Sequence, residues 1–358
     1  MNLISRDIIN QNFKLTIIDK CIEFDKDTLI EFINRAKTYL VLERKASKGD
    51  KVLLTFGDYY VPWFFACAEL GLSFVISASH VVQNYKKLND RYGEIHHVIM
   101  PFNKEDLKGF HSTYEDVAVD MNVIQDYSST TETNTFWATP DTTLTLAISD
   151  KYNLRLAGLV PEEHTHDFYY RLLVRNCKVM NFHDDDKCFH LRVLHHGSSL
   201  GTFFLPTFYG CSTHFWCDET EYLWVRHLVD YQITRCLIFE RMLYIIALRL
   251  RKNEVDLSHL KLYILTQPSL SDIDNLIIKH NITLISIFGM TSTSGPIFLQ
   301  EITPKLCRTY DRRRFFKPLD NFYDLKVEDN ILSISYDDRT VISRDRFEIR
   351  DDEFYFLN

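Results

Sequence analysis

Leu284-Ile285-Ser286-Ile287-Phe288-Gly289-Met290-Thr291-Ser292-Thr293-Ser294-Gly295-Pro296 is the stretch on which the reading of this chain turns. Thr283 to Ile287 is a short apolar run rich in β-branched residues, which predicts a buried strand. An aromatic residue, a glycine and a run of hydroxyl-bearing residues follow it directly. Outward from there the chain alternates. Lys261 to Leu265 predicts a strand and Ser271 to Lys279 a helix, while Arg235 to Ile238 and Glu240 to Arg251 make the preceding strand and helix. Thr213 to Cys217 with Glu221 to Tyr231 repeats the pattern, as do Phe189 to Leu194 with Gly201 to Tyr209, and Leu144 to Ile148 with His164 to Asn176. Nearer the N-terminus, Asp25 to Leu42 has helical spacing. Lys51 to Phe56, Tyr60 to Gly71, Ser73 to Ala78 and a helix begun near His80 continue the alternation. Strands alternating with helices predict parallel sheets covered by helices. After Pro304 the pattern changes to short strands at Phe322 to Val327, Ile331 to Ser335, Phe347 to Ile349 and Phe354 to Leu357. The turns between them are too short for crossover helices, so these strands are expected to pair antiparallel.

Composition bounds the class. With 358 residues, 46% hydrophobic, 14% aromatic, 11 Gly and 9 Pro, the chain suits a compact fold of more than one subdomain. The formal charge of -8 is spread through mixed-sign segments, and no polybasic block marks a nucleic-acid face. Arg312-Arg313-Arg314 reads as a solvated turn. The N-terminus has no basic leader followed by an apolar core, and Val61 to Ile76 and Ile238 to Leu250 are interrupted by charges. No signal peptide and no membrane span are expected, and a cytoplasmic location is. Eight cysteines, Cys21, Cys67, Cys177, Cys188, Cys211, Cys217, Cys236 and Cys307, form no C-x-x-C pair and read as reduced, buried thiols.

Phe288-Gly289-Met290-Thr291-Ser292 resembles the aromatic-Gly-x-Thr-Glu signature of the adenylate-forming superfamily, which includes acyl-CoA synthetases, nonribosomal-peptide adenylation domains and luciferases. Further stretches carry the same likeness in the same order. They are Gly49-Asp50-Lys51-Val52, the helix ending Ala68-Glu69-Leu70-Gly71, His195-His196-Gly197-Ser198-Ser199-Leu200-Gly201, Leu257-Ser258-His259-Leu260, Lys317-Pro318-Leu319 and Ser343-Arg344-Asp345. The resemblance implies an N-terminal domain of that fold: two parallel-sheet α/β subdomains, 1–135 and 136–303, and a small antiparallel barrel-like subdomain, 304–358. It implies that Thr266, Gln267 and Pro268 pack against adenine, that Phe288 and Gly289 line the site with the glycine giving substrate access to the backbone, and that Thr291 meets phosphate. Asp345 would take the ribose hydroxyls and His196 would line the carboxylate pocket. Thr291 and His196 are the nearest candidates for catalytic groups.

The departures fall on the chemistry. Ser292 stands where the family's magnesium-holding glutamate belongs. Ser149 to Gly158, where relatives have a glycine-rich phosphate loop, keeps one glycine and adds Asp150; Lys151 and Arg155 remain as its cations. The chain stops at Asn358, where relatives continue into a domain bearing a catalytic lysine. The expectation is a catalytically eroded protein with a binding or structural role, weak AMP, ATP or acyl-adenylate binding, and no magnesium site. The open cleft would be covered by a protein partner or a second copy. The rivals are an AMP-forming carboxylate ligase whose C-terminal domain is supplied in trans or was removed, and an assembly component such as a viral one. His164-x-His166 with Asp167, and His183-Asp184-Asp185-Asp186, lack a metal-ligand spacing. The first reads as a helix start and the second as a turn. His195-His196 with Cys188 or Ser198 lacks an orienting carboxylate for nucleophilic catalysis. Phe203, Phe204, Phe208 and Tyr209 read as core.

Overall fold

The fold is taken from a computed structural model that describes residues 3, 5–76, 85–102, 110, 113–128, 136–147, 162–191, 199–217, 224–250, 256–265, 277–290, 292–307, 314–315 and 318–357. Two compact units divide the chain: Met1–Asp185 with Leu194–Asp218, and Asp186–Val193 with Glu219–Asn358.

The first unit holds a six-stranded sheet in the order β6-β5-β3-β4-β7-β8. Its strands are β3 (Lys51–Leu54), β4 (Ser73–Ile76), β5 (His97–Met100), β6 (Ala118–Asp120), β7 (Thr143–Ala147) and β8 (Glu162–Thr165). The first five are parallel and β8 joins the edge antiparallel to β7. A second sheet segment pairs β1 (Lys14–Ile17) with β2 (Ile22–Asp25) antiparallel and with β10 (Thr213–Cys217) parallel. The helices follow from local chemistry. α1 (Ser5–Ile8) is a single turn, whereas α2 (Lys26–Leu42) starts where the Asp25 carboxylate accepts the Thr28 N–H at 2.8 Å. All ten residues of α3 (Tyr60–Glu69) are buried, as an all-round apolar helix requires. α4 (Tyr85–Tyr92) turns Tyr85, Leu88 and Tyr92 onto Val98 and Met100 of β5. Among the described residues a buried ion pair fastens this unit. Lys37 Nζ meets Glu69 Oε2 at 2.7 Å, both side chains being 2% exposed, and Ser5 gives Glu69 Oε1 its N–H and its hydroxyl.

Near α5 (His166–Val179) the structure departs from the periodicity. His164, expected to open this helix, lies in β8, and the cap is Thr165, whose hydroxyl accepts the Phe168 N–H at 3.3 Å. A four-residue edge strand feeding straight into a helix leaves no turn residues to mark the boundary. The helix expected from Gly201 begins as a π turn at Leu200–Phe204 before α6 (Leu205–Gly210). Pro206 is the cause: it has no N–H to give to Thr202 or Gly201, so Leu205 N–H reaches back to the Leu200 carbonyl and the Asn176 side chain donates to Gly201 O at 2.8 Å. Phe203, Phe204 and Phe208 are buried as expected, but Tyr209 is exposed. All eight cysteines are free thiols. Cys21 is exposed and Cys177 half-buried, against the expectation that all are buried.

In the second unit β9 (Lys187–Leu191), β11 (Arg235–Ile238), β12 (Lys261–Ile264) and β13 (Thr283–Gly289) run parallel, and β14 (Pro296–Ile302) returns antiparallel to β13. Their order is β14-β13-β12-β11-β9, with α7 (Trp224–Asp230) and α8 (Glu240–Leu250) in the connections around β11. At the amino ends of these strands Arg235 Nε donates to Asp186 Oδ1 at 2.7 Å and Arg235 Nη1 to Tyr263 OH at 2.8 Å. Burial opposes that guanidinium's charge, yet Asp186 holds its pKa above the usual arginine value. The tail forms a five-stranded antiparallel sheet, β15-β19-β18-β17-β16, from β15 (Arg314–Phe315), β16 (Asp324–Glu328), β17 (Ile331–Tyr336), β18 (Arg339–Arg350) and β19 (Glu353–Phe356). The sheet is open: among the described residues no pairing closes the expected barrel. Asp324, Lys326 and Glu328 sit at the exposed positions of the edge strand β16, where charge discourages further pairing. No described helix is long and apolar enough to cross a membrane.

Candidate functional site

In an open parallel sheet, ligands collect beyond the carboxyl ends of the strands. In the second unit the described residues at that end include the hairpin joining β13 to β14. Phe288 pairs with Phe298, and the register breaks between Phe288 and Gly289, so that Gly289 faces Pro296. A Cβ at Gly289 would stand 2.5 Å from the Gly295 carbonyl oxygen, so glycine is needed here because the chain crosses itself. The space on the Cβ side of Gly289 is thus taken by the hairpin's own backbone.

Thr293 organises the loop. Its hydroxyl accepts the Met290 N–H at 3.1 Å and lies 3.0 Å and 3.1 Å from the Met290 and Gly295 carbonyls. Ser294 takes a left-handed φ of 49°. Ser292, Thr293 and Ser294 are all buried, and Ser292 is 3% exposed. Two tyrosines of the antiparallel tail hold the loop from outside. Tyr336 OH donates to Ser292 O at 2.7 Å, and Tyr323 OH donates to Thr293 O at 3.0 Å. Both rings are buried and meet edge to face at 5.7 Å. Nothing in the local sequence pointed to this clamp, because its two halves are 30 and 44 residues from their acceptors.

Asp345 lies at a second irregularity. In the pairing of β17 with β18, Ile331 faces Arg346 while Ser333 faces Ile342, which leaves Ser343, Arg344 and Asp345 opposite Leu332 alone. Such a bulge re-aims side chains and recurs beside active sites. Ser343 is buried and its Oγ accepts the Asp345 N–H at 3.1 Å; Asp345 itself is half-buried. Beyond the bulge, β18 leaves β17 and pairs with β19. Phe347, two residues past Asp345, packs its ring 5.0 Å from Phe288 and 5.9 Å from Phe298. Two of the sequence-predicted residues, Phe288 and Gly289, and the strand carrying a third, Asp345, are thus brought to one end of this unit. Thr266, Gln267, Pro268, Thr291 and His196 lie outside the described residues, as do Lys151, Arg155 and the whole loop Ser149 to Gly158.

The histidine and aspartate groupings have other occupations. The buried His166 Nδ1 accepts the Leu3 N–H at 3.3 Å, and burial, helped by the charge of Lys48, lowers its pKa to about 4. The His164 ring stacks on Phe168 at 4.7 Å. Asp184 Oδ1 accepts from Asn10 Nδ2 at 2.9 Å, and Asp186 holds Arg235 and the Thr234 hydroxyl.

No family model and no curated protein sequence matches this chain. Solved structures do. The chain is similar to O-succinylbenzoate coenzyme A synthetase from Bacillus subtilis in complex with AMP, with a TM-score of 0.77 and 14% identity over 99% of this chain and 96% of that one. It is similar to the N-terminal domain of FACL13 from Mycobacterium tuberculosis, with a TM-score of 0.79 and 13% identity over 97% and 96%. A third is McyG A-PCP complexed with phenylalanyl-adenylate, with a TM-score of 0.79 and 13% identity over 99% of this chain and 75% of that one. At these identities the likeness is one of fold: the chain has the mixed α/β fold of the N-terminal domain of adenylate-forming enzymes.

Proposed function

We propose that this protein binds a nucleoside monophosphate or its acyl ester and does not itself activate carboxylates. One observation carries the reading. The hairpin that would present a metal ligand contains no carboxylate from Phe288 to Pro296, and Ser292, at the position matching the family's glutamate, is buried with its carbonyl held by Tyr336. Without that ligand, charge developing on a triphosphate has one stabiliser fewer, and single losses of this kind cost roughly 10² to 10³ in rate. The half-buried Asp345 at its bulge keeps the acceptor that ribose hydroxyls need. The Bacillus subtilis enzyme of the same fold, seen with AMP, supports a nucleotide as the ligand class.

Two measurements test this. Carboxylate-dependent exchange of pyrophosphate into ATP should be absent with fatty, aryl and amino acids, and robust exchange with any of them would establish a ligase instead. By calorimetry AMP should bind better than ATP with magnesium. Asp345→Ala should weaken AMP binding about tenfold to a hundredfold, the loss of hydrogen bonds to a charged acceptor at about 1.5–3 kcal/mol. Equal affinity in that variant would remove Asp345 from the site.

A further inference from the structure

A groove of about 640 Å³ opens on the first unit, lined by Val41, Lys45, Ala46, Ser47, Lys48 and Trp137. It does not include the hairpin or Asp345. Its walls are built firmly. α2 closes with Ala46 N–H on Leu40 O at 3.0 Å across Lys45, which takes a left-handed φ of 52° at the position where helices prefer glycine. The following turn is set by the Asp50 carboxylate, which accepts the Ser47 N–H at 2.8 Å and faces His97 Nε2 at 3.3 Å. The opposite wall is anchored where Trp137 N–H and Ala138 N–H donate to Glu69 O.

Among the described residues the polar side chains lining the groove are Lys45, Lys48, Ser47 and the Trp137 indole, with no carboxylate. Lys48 donates to Thr139 Oγ1 at 3.2 Å. The Thr139 hydroxyl, then a backbone hydrogen bond, and least the charge of Lys48 hold the neighbouring Asp141 carboxyl below its usual range. Lys45 has no partner among the described residues. Two ammonium groups and an indole ring beside Val41 and Ala46 are complementary to carboxylates flanking an apolar side chain. Leu42 and Phe136, next in sequence to the lining residues Val41 and Trp137, are 46% and 37% exposed. Exposed apolar side chains next to both lining segments favour an extended segment over a small molecule as the occupant. We propose that this groove is a docking site for an acidic peptide segment of a partner protein, with one apolar or aromatic side chain seated against Trp137 and its carboxylates on Lys45 and Lys48.

The groove contains its own reporter. Trp63, Trp216 and Trp224 are 0%, 1% and 2% exposed, so Trp137 is the only one of the four tryptophans that solvent reaches. The full chain is titrated with a peptide of about ten Glu and Asp residues around one central Phe, the length an extended segment needs to cross such a groove. Tryptophan emission should change saturably, the change should vanish in Trp137→Phe, and affinity should fall about tenfold or more in Lys45→Glu/Lys48→Glu and again at high salt. Thermal melts establish that the variants are folded. A peptide that leaves the emission unchanged, or binds the double variant as tightly, overturns the assignment. Saturation by phenylacetate at the same affinity would make the groove a small-molecule pocket and equally overturn it. Because AMP binding is measured separately, failure here leaves the nucleotide reading untouched.

Discussion

Gly289 is legible in the sequence as a special residue, and the structure adds a packing reason to the one the resemblance implies. The aromatic-glycine pair marked the end of a buried strand correctly, since local patterning records burial well. That the glycine accommodates the Gly295 carbonyl depends on the register of a returning strand, which no window around residue 289 contains. An alanine at this position meets backbone at 2.5 Å, where neither side can yield by rotating a side chain. Gly289→Ala is therefore expected to cost about 2 kcal/mol, typical of overpacking against rigid surroundings. It would read as a lower urea midpoint with an unchanged slope; an unchanged midpoint would mean that the hairpin opens freely. The tyrosine clamp was illegible for a related reason. Tyr323 and Tyr336 look like ordinary inward-facing residues of alternating strands, and only the tertiary fold shows which carbonyls their hydroxyls reach.

At the scale of elements, strands read from strong apolar runs coincide with the structure, Thr213 to Cys217 and Arg235 to Ile238 residue for residue. Others escaped notice, among them β5 and β6, which at four and three residues are too short for a period to show. β1, β2 and β14 carry Lys14, Glu23, Gln300 and Glu301 within short segments, so their periodicity is too weak to stand out beside helical neighbours. The π turn before α6 shows a local conflict resolved at a distance. Pro206 was in plain view, yet the rescue of the Gly201 carbonyl comes from Asn176 on another helix. Asn176→Leu should leave that buried carbonyl unpaired and cost about 1–3 kcal/mol. Restoring an N–H with Pro206→Ala lets the helix supply the missing bond itself, so the double variant should recover much of the loss. A double-mutant cycle on urea unfolding measures the coupling, and strictly additive costs would show that the two residues act independently.

For the molecule as a whole, the first unit carries a set of buried histidines that makes its stability depend on acid. Burial lowers His166 to about 4 and His214, whose Nε2 faces the Cys211 carbonyl at 3.1 Å, to about 3, from an ordinary value of 6.5. His97 is lowered by burial as well, against the pull of Asp50. In each case the folded form binds the proton less readily than the unfolded chain, so stability is fully present above the unfolded value and declines as pH falls through it. At 1.36 kcal/mol per unit, each of His166 and His214 should cost about 2 kcal/mol between about pH 7 and pH 5. The carboxylates held low, such as Asp25 and Asp167, start from 3.8 and act only below that window. Urea unfolding followed through the tryptophans at the two pH values should therefore show a marked loss at pH 5. His166→Gln and His214→Gln, neutral throughout, should each flatten that slope even where they lower stability at pH 7. An equal slope in both variants would place the acid sensitivity elsewhere.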